Sequence, residues 1–418
     1  MFHKIVYLTI AIVLSSCAGQ KTKLENEGNY DITSKPPGVL SQTIITRQWD
    51  AYKNQKSCLE RNPGAEPEPI RVSKLSDTYL TEKKLNNIFT KNEGNAACGG
   101  LIWMNRSLNA SPPKPIKTLN ISNAYGDRDL SLDNALTYFQ KQSTLIRFSN
   151  DSVYKNELRE TLINWAKNRS LRSGIHSMGN SSYQPVNFQV MTLVESILTA
   201  TSEVVVDFTP EEKVVVFKWL NEIVIDIGSS TYWYRSDNKE YLKAYIVLLW
   251  AVMIDDERLM QKVINIYKNG IHEMRPDGSF PIDSQRGAMG NHYTYYSTNN
   301  LTLIAALLKQ KKNIDLFSYE VEGRSIHNAI EYVVQSIKDQ SNTNRKYALP
   351  CFAGDRWGSV DNPSPWFQNP AGGVLSVYAS IFPNKESSIY IEKRYATEKK
   401  SLILSEIGGG APMCQFKF

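Results

Sequence analysis

"EYLKAYIVLLWAVMI", Glu240–Ile254, runs directly into "DDERLMQKVINIYKNGIHEM", Asp255–Met274. The first segment is apolar nearly all round, which predicts a helix buried on every side. The second is amphipathic and predicts a helix with one face on the core and one in water. Neighbouring segments share this helical character. "TPEEKVVVFKWLNEIVIDI" carries a full start signal: Thr209 as N-cap, Pro210 at the first helical position and Glu212 closing a capping box. "SLDNALTYFQKQSTLIRF", "YKNELRETLINWAKNRSL" and the first half of "QPVNFQVMTLVESILTATSEVVVDF" precede it, also with helical periodicity. "LTLIAALLKQ", "IHNAIEYVVQSIKD" and "GGVLSVYASIF" extend the series downstream. Only "EVVVDF", Glu203–Phe208, has the composition of a strand. Helices of similar length with short breaks and no repeated motif imply antiparallel helical hairpins, stacked as a solenoid or closed as an α/α toroid. No linker interrupts them, so the expectation is an all-α chain with a single large domain.

Composition narrows the function classes. The 418 residues are 41% hydrophobic and 22% charged, the balance of a globular protein. The net charge of +6 is diffuse, with no dense Lys/Arg block, which argues against nucleic acid and is compatible with an acidic polymer. The five histidines are scattered and no Cys-x-x-Cys occurs, so neither a metal site nor a cofactor is expected.

The N-terminus predicts an address. Met1–Lys4 is basic, and Ile5–Leu14 is apolar but too short to span a bilayer. "LSSCAGQ", Leu14–Gln20, resembles a bacterial lipobox, which implies cleavage before Cys17 and lipidation of its thiol. Ala18 after the cysteine implies the outer membrane of a Gram-negative cell, with the protein facing the periplasm. Residues 1–16 are then a lipoprotein signal peptide, 17–50 a flexible tether containing "SKPPG", and 51–418 the domain, expected to be a monomer. Cys58, Cys98, Cys351 and Cys414 remain, enough for two disulfides in any of three pairings.

Two polar stretches interrupt the helical array: "STYWYRSDNKEYLKAY", Ser230–Tyr245, and "DGSFPIDSQRGAMGNHYTYYSTNN", Asp277–Asn300. One helical hairpin separates them, so the polar starts of two inner helices can line one cleft. With "INWAKNRSL" and "VVFKWLNEIV", these stretches resemble the α/α-toroid alginate lyases of the poly(mannuronate) lyase type, from about Leu162 to Leu308. That family carries Asn-Asn-His-x-Tyr at a helix start, then Pro-Asp-Gly, an acidic residue, and an Arg followed seven residues later by a Tyr. Here Pro276-Asp277-Gly278, Arg286 and Tyr293 fall on the second pattern, and Asp237-Asn238-Lys239-Glu240-Tyr241 on the first.

The resemblance implies β-elimination on a uronate polysaccharide, with Asn238 and Arg286 neutralising the substrate carboxylate and Tyr293 transferring protons. Lys239 stands where the family has its His. Lysine serves as a point charge, but as a base it needs a strongly lowered pKa. Either Tyr293 makes both proton transfers, the substrate is not alginate, or activity is lost. His292 is a candidate substitute beside Tyr293. Tyr232, Trp233 and Trp357 are candidates to stack on sugar faces.

Structural roles compete at each position. Tyr295 and Tyr296 suit a helix seam, Asn238 an N-cap, Lys239 a solvated surface, Arg286 a salt bridge with Asp283, and Trp357 the pinning of a long loop. His272 and His327 suit amphipathic packing. Two rival functions remain open: polysaccharide binding without catalysis, and a glycoside hydrolase, which needs two facing carboxylates.

Overall fold

The computed structural model describes residues 30–34, 69–89, 111–117, 130–149, 151–172, 188–230, 237–349, 372–397 and 415–416. The chain divides into Met1–Tyr30 and Asp31–Phe418, and the helices all belong to the second unit. A short helix α1 (Asp77–Glu82) precedes α2 (Leu130–Ser149), α3 (Ser152–Lys167), α4 (Phe188–Glu203), α5 (Pro210–Ser229), α6 (Asn238–Ile254) and α7 (Glu257–Glu273). Then come α8 (Pro281–Ser284), α9 (Gly290–Lys312), α10 (Ile326–Lys338), α11 (Gln340–Arg345), α12 (Gly372–Ile381) and α13 (Glu386–Thr397).

Hydrophobic pattern sorts these helices into two layers. Every residue of α6 is buried, as is α4 from Val190 to Ser202 and most of α9 up to Leu308. Helices α2, α4, α6, α9 and α12 follow one another as packed neighbours and form the inner layer. The outer layer is α3, α5, α7, α10 and α13, each packed on an inner helix or on an adjacent outer one. Inner and outer helices alternate along the chain, so successive inner helices point the same way and their N-terminal ends gather on one side. Stacking of Phe188 at the start of α4 on Tyr296 at the start of α9, with centroids 5.2 Å apart, shows two of these ends meeting. This is an incomplete α/α toroid.

The helix boundaries follow local chemistry. Thr209 accepts from the Glu212 amide while the Glu212 carboxylate accepts from the Thr209 amide, the capping box that the sequence predicts. "EVVVDF" is not a strand: Glu203 closes α4 and residues 204–208 turn into α5. A strand there has no partner, because the only bridge among the described residues joins Val321 and Arg324. Val204 and Val205 are buried and serve the helical core instead. Helix α13 has no counterpart among the expected helices.

His272 and His327 are structural. The first pairs with the Tyr319 hydroxyl at 2.8 Å and the second with that of Tyr378 at 2.7 Å. Among the described residues no helix is long and apolar enough to cross a membrane.

Candidate functional site

The N-terminal turn of α6 is built on Asp237. Its carboxylate accepts from the backbone N–H of Lys239 at 3.0 Å and of Glu240 at 2.9 Å. The N-cap is therefore Asp237, which leaves Asn238 at the first helical position with its amide side chain uncommitted to capping. Asn238 is buried, yet neither Oδ1 nor Nδ2 of its side chain finds a hydrogen-bond partner among the described residues. Such a group costs about 1–3 kcal/mol when left dry, so its retention speaks for a ligand rather than for stability. Replacing Asn238 with Ala should change the unfolding free energy by less than about 1 kcal/mol. The same change should lower turnover about a hundredfold, through the loss of one oriented donor. Urea unfolding beside a rate assay on the same sample checks both.

Lys239 is 7% exposed, so it is not a solvated surface lysine. Burial raises the pKa of the neighbouring Asp237 carboxyl, and the nearby charge of Lys239 opposes that rise in part. One position on, Glu240 makes a buried ion pair at 2.6 Å with Lys243, whose ammonium also donates to the Ser230 carbonyl at 3.1 Å.

The second half of the site is a folded loop between α7 and α9. Its first turn uses Pro276-Asp277-Gly278. Gly278 has φ +92°, and a Cβ there would lie 2.0 Å from the Asn328 carbonyl oxygen, so only glycine fits. Asp277 caps the turn at the Ser279 amide (3.1 Å) and accepts from Lys346 at 2.6 Å and the Tyr347 hydroxyl at 2.7 Å. Burial raises its pKa, but these hydrogen bonds outweigh it and hold the carboxyl below its usual range. Arg275 lies over the Tyr347 ring at 3.9 Å and donates to Ser284 at 2.7 Å, pinning the loop from beneath. At Gly290 a Cβ would lie 2.4 Å from the Ser284 carbonyl oxygen, so the loop folds tightly across the start of α9. Asn344 of α11 secures that crossing, donating to the Gly287 carbonyl at 2.9 Å and accepting from the Asn291 amide at 3.3 Å.

This loop brings Arg286 to Tyr293. The helix does not begin at Arg286; residues Gly287–Met289 form a 3-10 turn and α9 starts at Gly290. Convergence therefore comes from the loop rather than from a shared helical face. The Arg286 guanidinium carbon sits 3.5 Å from the Tyr293 ring centroid, a close cation–π stack. Both side chains are partly exposed, unlike their buried neighbours. His292 is 5% exposed, with its ring 4.3 Å from that of Tyr296, and Tyr295 is fully buried.

Asp283, which the sequence offers as a salt-bridge partner of Arg286 and as one of several carboxylates for a hydrolase, takes a more central place. Fully buried, it accepts from the backbone N–H of Asn238 at 3.3 Å and from the Ser297 hydroxyl. Burial and the negative charge of Asp237 both push its pKa up, to about 8. Tyr232, Trp233, Trp357, Cys17 and the four remaining cysteines lie outside the described residues.

Against known proteins, the alginate lyase family profile matches residues 128–343 of this chain. A polysaccharide lyase of Stenotrophomonas maltophilia is 25% identical over 121 residues, 28% of this chain and 36% of that protein, so the match spans about a third of that relative. Alginate lyase A1-III of Sphingomonas species A1 superposes with a TM-score of 0.58 at 19% identity, covering 82% of this chain and 93% of that one. An alginate lyase of Bacteroides ovatus gives 0.50 at 14% identity over 84% and 89% of the two chains. A histidine-to-alanine variant of A1-III, complexed with a tetrasaccharide, gives 0.54 at 18% identity over 91% and 98%.

Proposed function

Because the chain belongs to the alginate lyase family, we propose that it cleaves a uronate-containing acidic polysaccharide by β-elimination. The observation that carries this is the Arg286–Tyr293 stack at 3.5 Å, with a buried Asn238 whose side-chain amide is unpaired among the described residues. A proton next to a carboxylate is weakly acidic until the carboxylate is neutralised. Arg286 and the Asn238 amide supply that neutralisation, and the negative charge that develops on the carboxylate oxygens is stabilised where it forms. Stacking on Tyr293 engages the face of the guanidinium; its N–H donors radiate in the plane, where a carboxylate binds in bidentate fashion.

Tyr293 then takes the C5 proton as phenolate, a form favoured by the cation on its ring. The C5–H electrons become the C4–C5 double bond, the C4–O4 bond breaks, and the phenol returns its proton to the departing oxygen. No water is consumed. In this mechanism Lys239 serves as a fixed charge beside the Asp237 carboxyl, whose ionised form it favours. Both proton transfers therefore fall to Tyr293, and the His-to-Lys difference need not abolish activity.

The buried carboxyls of Asp237 and Asp283 do not suit a hydrolase. They face each other within the protein and are committed to backbone and hydroxyl groups. A hydrolytic pair must instead flank the sugar.

The lipobox-like Cys17 supports placing the enzyme on a lipid anchor facing the periplasm, where an acidic polymer is its partner.

The test is a panel of polymannuronate, polyguluronate and other acidic exopolysaccharides with ultraviolet detection. A lyase yields the absorbance of an unsaturated uronate. Reducing ends without that absorbance would indicate a hydrolase, and binding without product a carbohydrate-binding protein.

A further inference from the structure

We propose that Asp283 is a positioning residue that works as an uncharged acid, tying together the three segments that carry Asn238, Arg286 and Tyr293. This rests on the lyase function proposed above. The geometry is that of a hub. One carboxyl oxygen accepts from the backbone N–H of Asn238 at the start of α6. The other meets the hydroxyl of Ser297, one helical turn beyond Tyr293 in α9. The Asp283 backbone carbonyl accepts from the Arg286 amide at 3.1 Å, fixing the loop residue that must reach the tyrosine ring.

The neutral state follows from the company this carboxyl keeps. Asp237 and Asp283 are 3% and 0% exposed and close enough for each to oppose ionisation of the other. Asp237 has the better claim to the negative charge: two backbone N–H donors, the N-terminal end of a 17-residue helix, and Lys239. The proton then rests on Asp283. The charged and titratable groups around it are Asp237, Lys239 and the Glu240–Lys243 pair on α6, Arg275 and Arg286 from the loop side, and His292 and Tyr293 on α9. With Asp283 neutral, the one charge of Asp237 leaves the positive charges of Lys239 and Arg286 in excess, and a substrate carboxylate completes the balance. Ionising Asp283 removes that excess and weakens substrate binding on the alkaline side.

The sign for stability is the same. An unfolded aspartate loses its proton near pH 4, whereas folded Asp283 keeps it until about pH 8. Across that window the folded state holds the extra proton, so rising pH weakens the fold. Asp283→Asn copies the neutral acid in shape and charge and removes this dependence.

The experiment compares wild type, Asp283→Asn, Asp283→Ala and Ser297→Ala in pH profiles of kcat/KM and in melting temperature from pH 5 to 9. Asp283→Asn is expected to stay within about tenfold of wild type at pH 7 and to carry its activity to higher pH, whereas Asp283→Ala loses a hundredfold or more. Ser297→Ala removes a donor to the ionised form, so its alkaline limb also moves up. Wild type should lose melting temperature between pH 5 and 8 relative to Asp283→Asn. An asparagine variant no better than alanine, an unmoved alkaline limb, or parallel melting curves would each overturn the proposal. If no polymer is cleaved, the lyase function fails, while the melting curves still decide the protonation of Asp283.

Discussion

Tyr293→Phe is expected to lower turnover at least a thousandfold while leaving the fold and substrate affinity nearly intact. The substitution removes one oxygen and nothing else. The ring over which Arg286 lies at 3.5 Å is retained, so the loop that carries the arginine keeps its anchor. Tyr293 is partly exposed, and loss of its hydroxyl opens no core cavity. A single positioned proton-transfer group contributes about 10²–10⁴ to rate. In the proposed mechanism one group serves both the abstraction and the protonation of the leaving oxygen. The expected loss therefore lies in the upper part of that range. It should appear in kcat, with KM changed less than about threefold, since the carboxylate-binding groups are untouched. Residual turnover above a tenth of wild type would move the proton-transfer role to another residue.

The layer structure was legible in the chain because it follows from periodicity alone. The α6 segment is apolar nearly all round and is buried throughout, and Thr209, Pro210 and Glu212 mark the start of α5 where local hydrogen bonding demands it. "EVVVDF" misleads because β-branched composition expresses a preference for buried, pleated surroundings, and the toroid offers burial without a strand to pair with.

Arg286, Tyr293, Asn238 and Lys239 are named through the resemblance to the alginate lyases, and the structure brings Arg286 onto Tyr293 by a path that the sequence does not mark. A seven-residue interval suggests a shared helical face; the real path is a loop closed over Gly290 and held by Asn344. The joint role proposed for Asp283 and Ser297 is not marked in the sequence, for a related reason. That role depends on burial and on a second carboxyl, Asp237, 46 positions before Asp283 in sequence. A buried aspartate flanked by Pro281-Ile282 and Ser284 carries no local signal of that kind. Likewise, Asp237 rather than Asn238 caps α6, a choice between two good capping residues that sequence leaves open.

Arg286→Ala is expected to reduce kcat/KM about a thousandfold, roughly 4 kcal/mol of transition-state stabilisation. Two losses combine. The substrate carboxylate loses its charged, bidentate partner at the moment when negative charge spreads onto its oxygens. Tyr293 loses the cation on its ring, so its phenolate becomes harder to form at neutral pH. These contributions separate in the Arg286→Lys variant. Lysine restores a point charge but has neither the planar face that stacks on the ring nor the fork that grips a carboxylate. It should therefore recover substrate binding more than turnover, with KM near wild type and kcat still depressed by about tenfold or more. The same logic predicts graded shifts of the acid limb of the pH profile. In Arg286→Ala the pH at which activity appears should rise, because the phenolate has lost its cation; in Arg286→Lys it should rise less. The proposed arrangement fails if the alanine variant stays within tenfold of wild type. It also fails if the lysine and alanine variants are indistinguishable in KM, since the charge would then be irrelevant to holding the carboxylate.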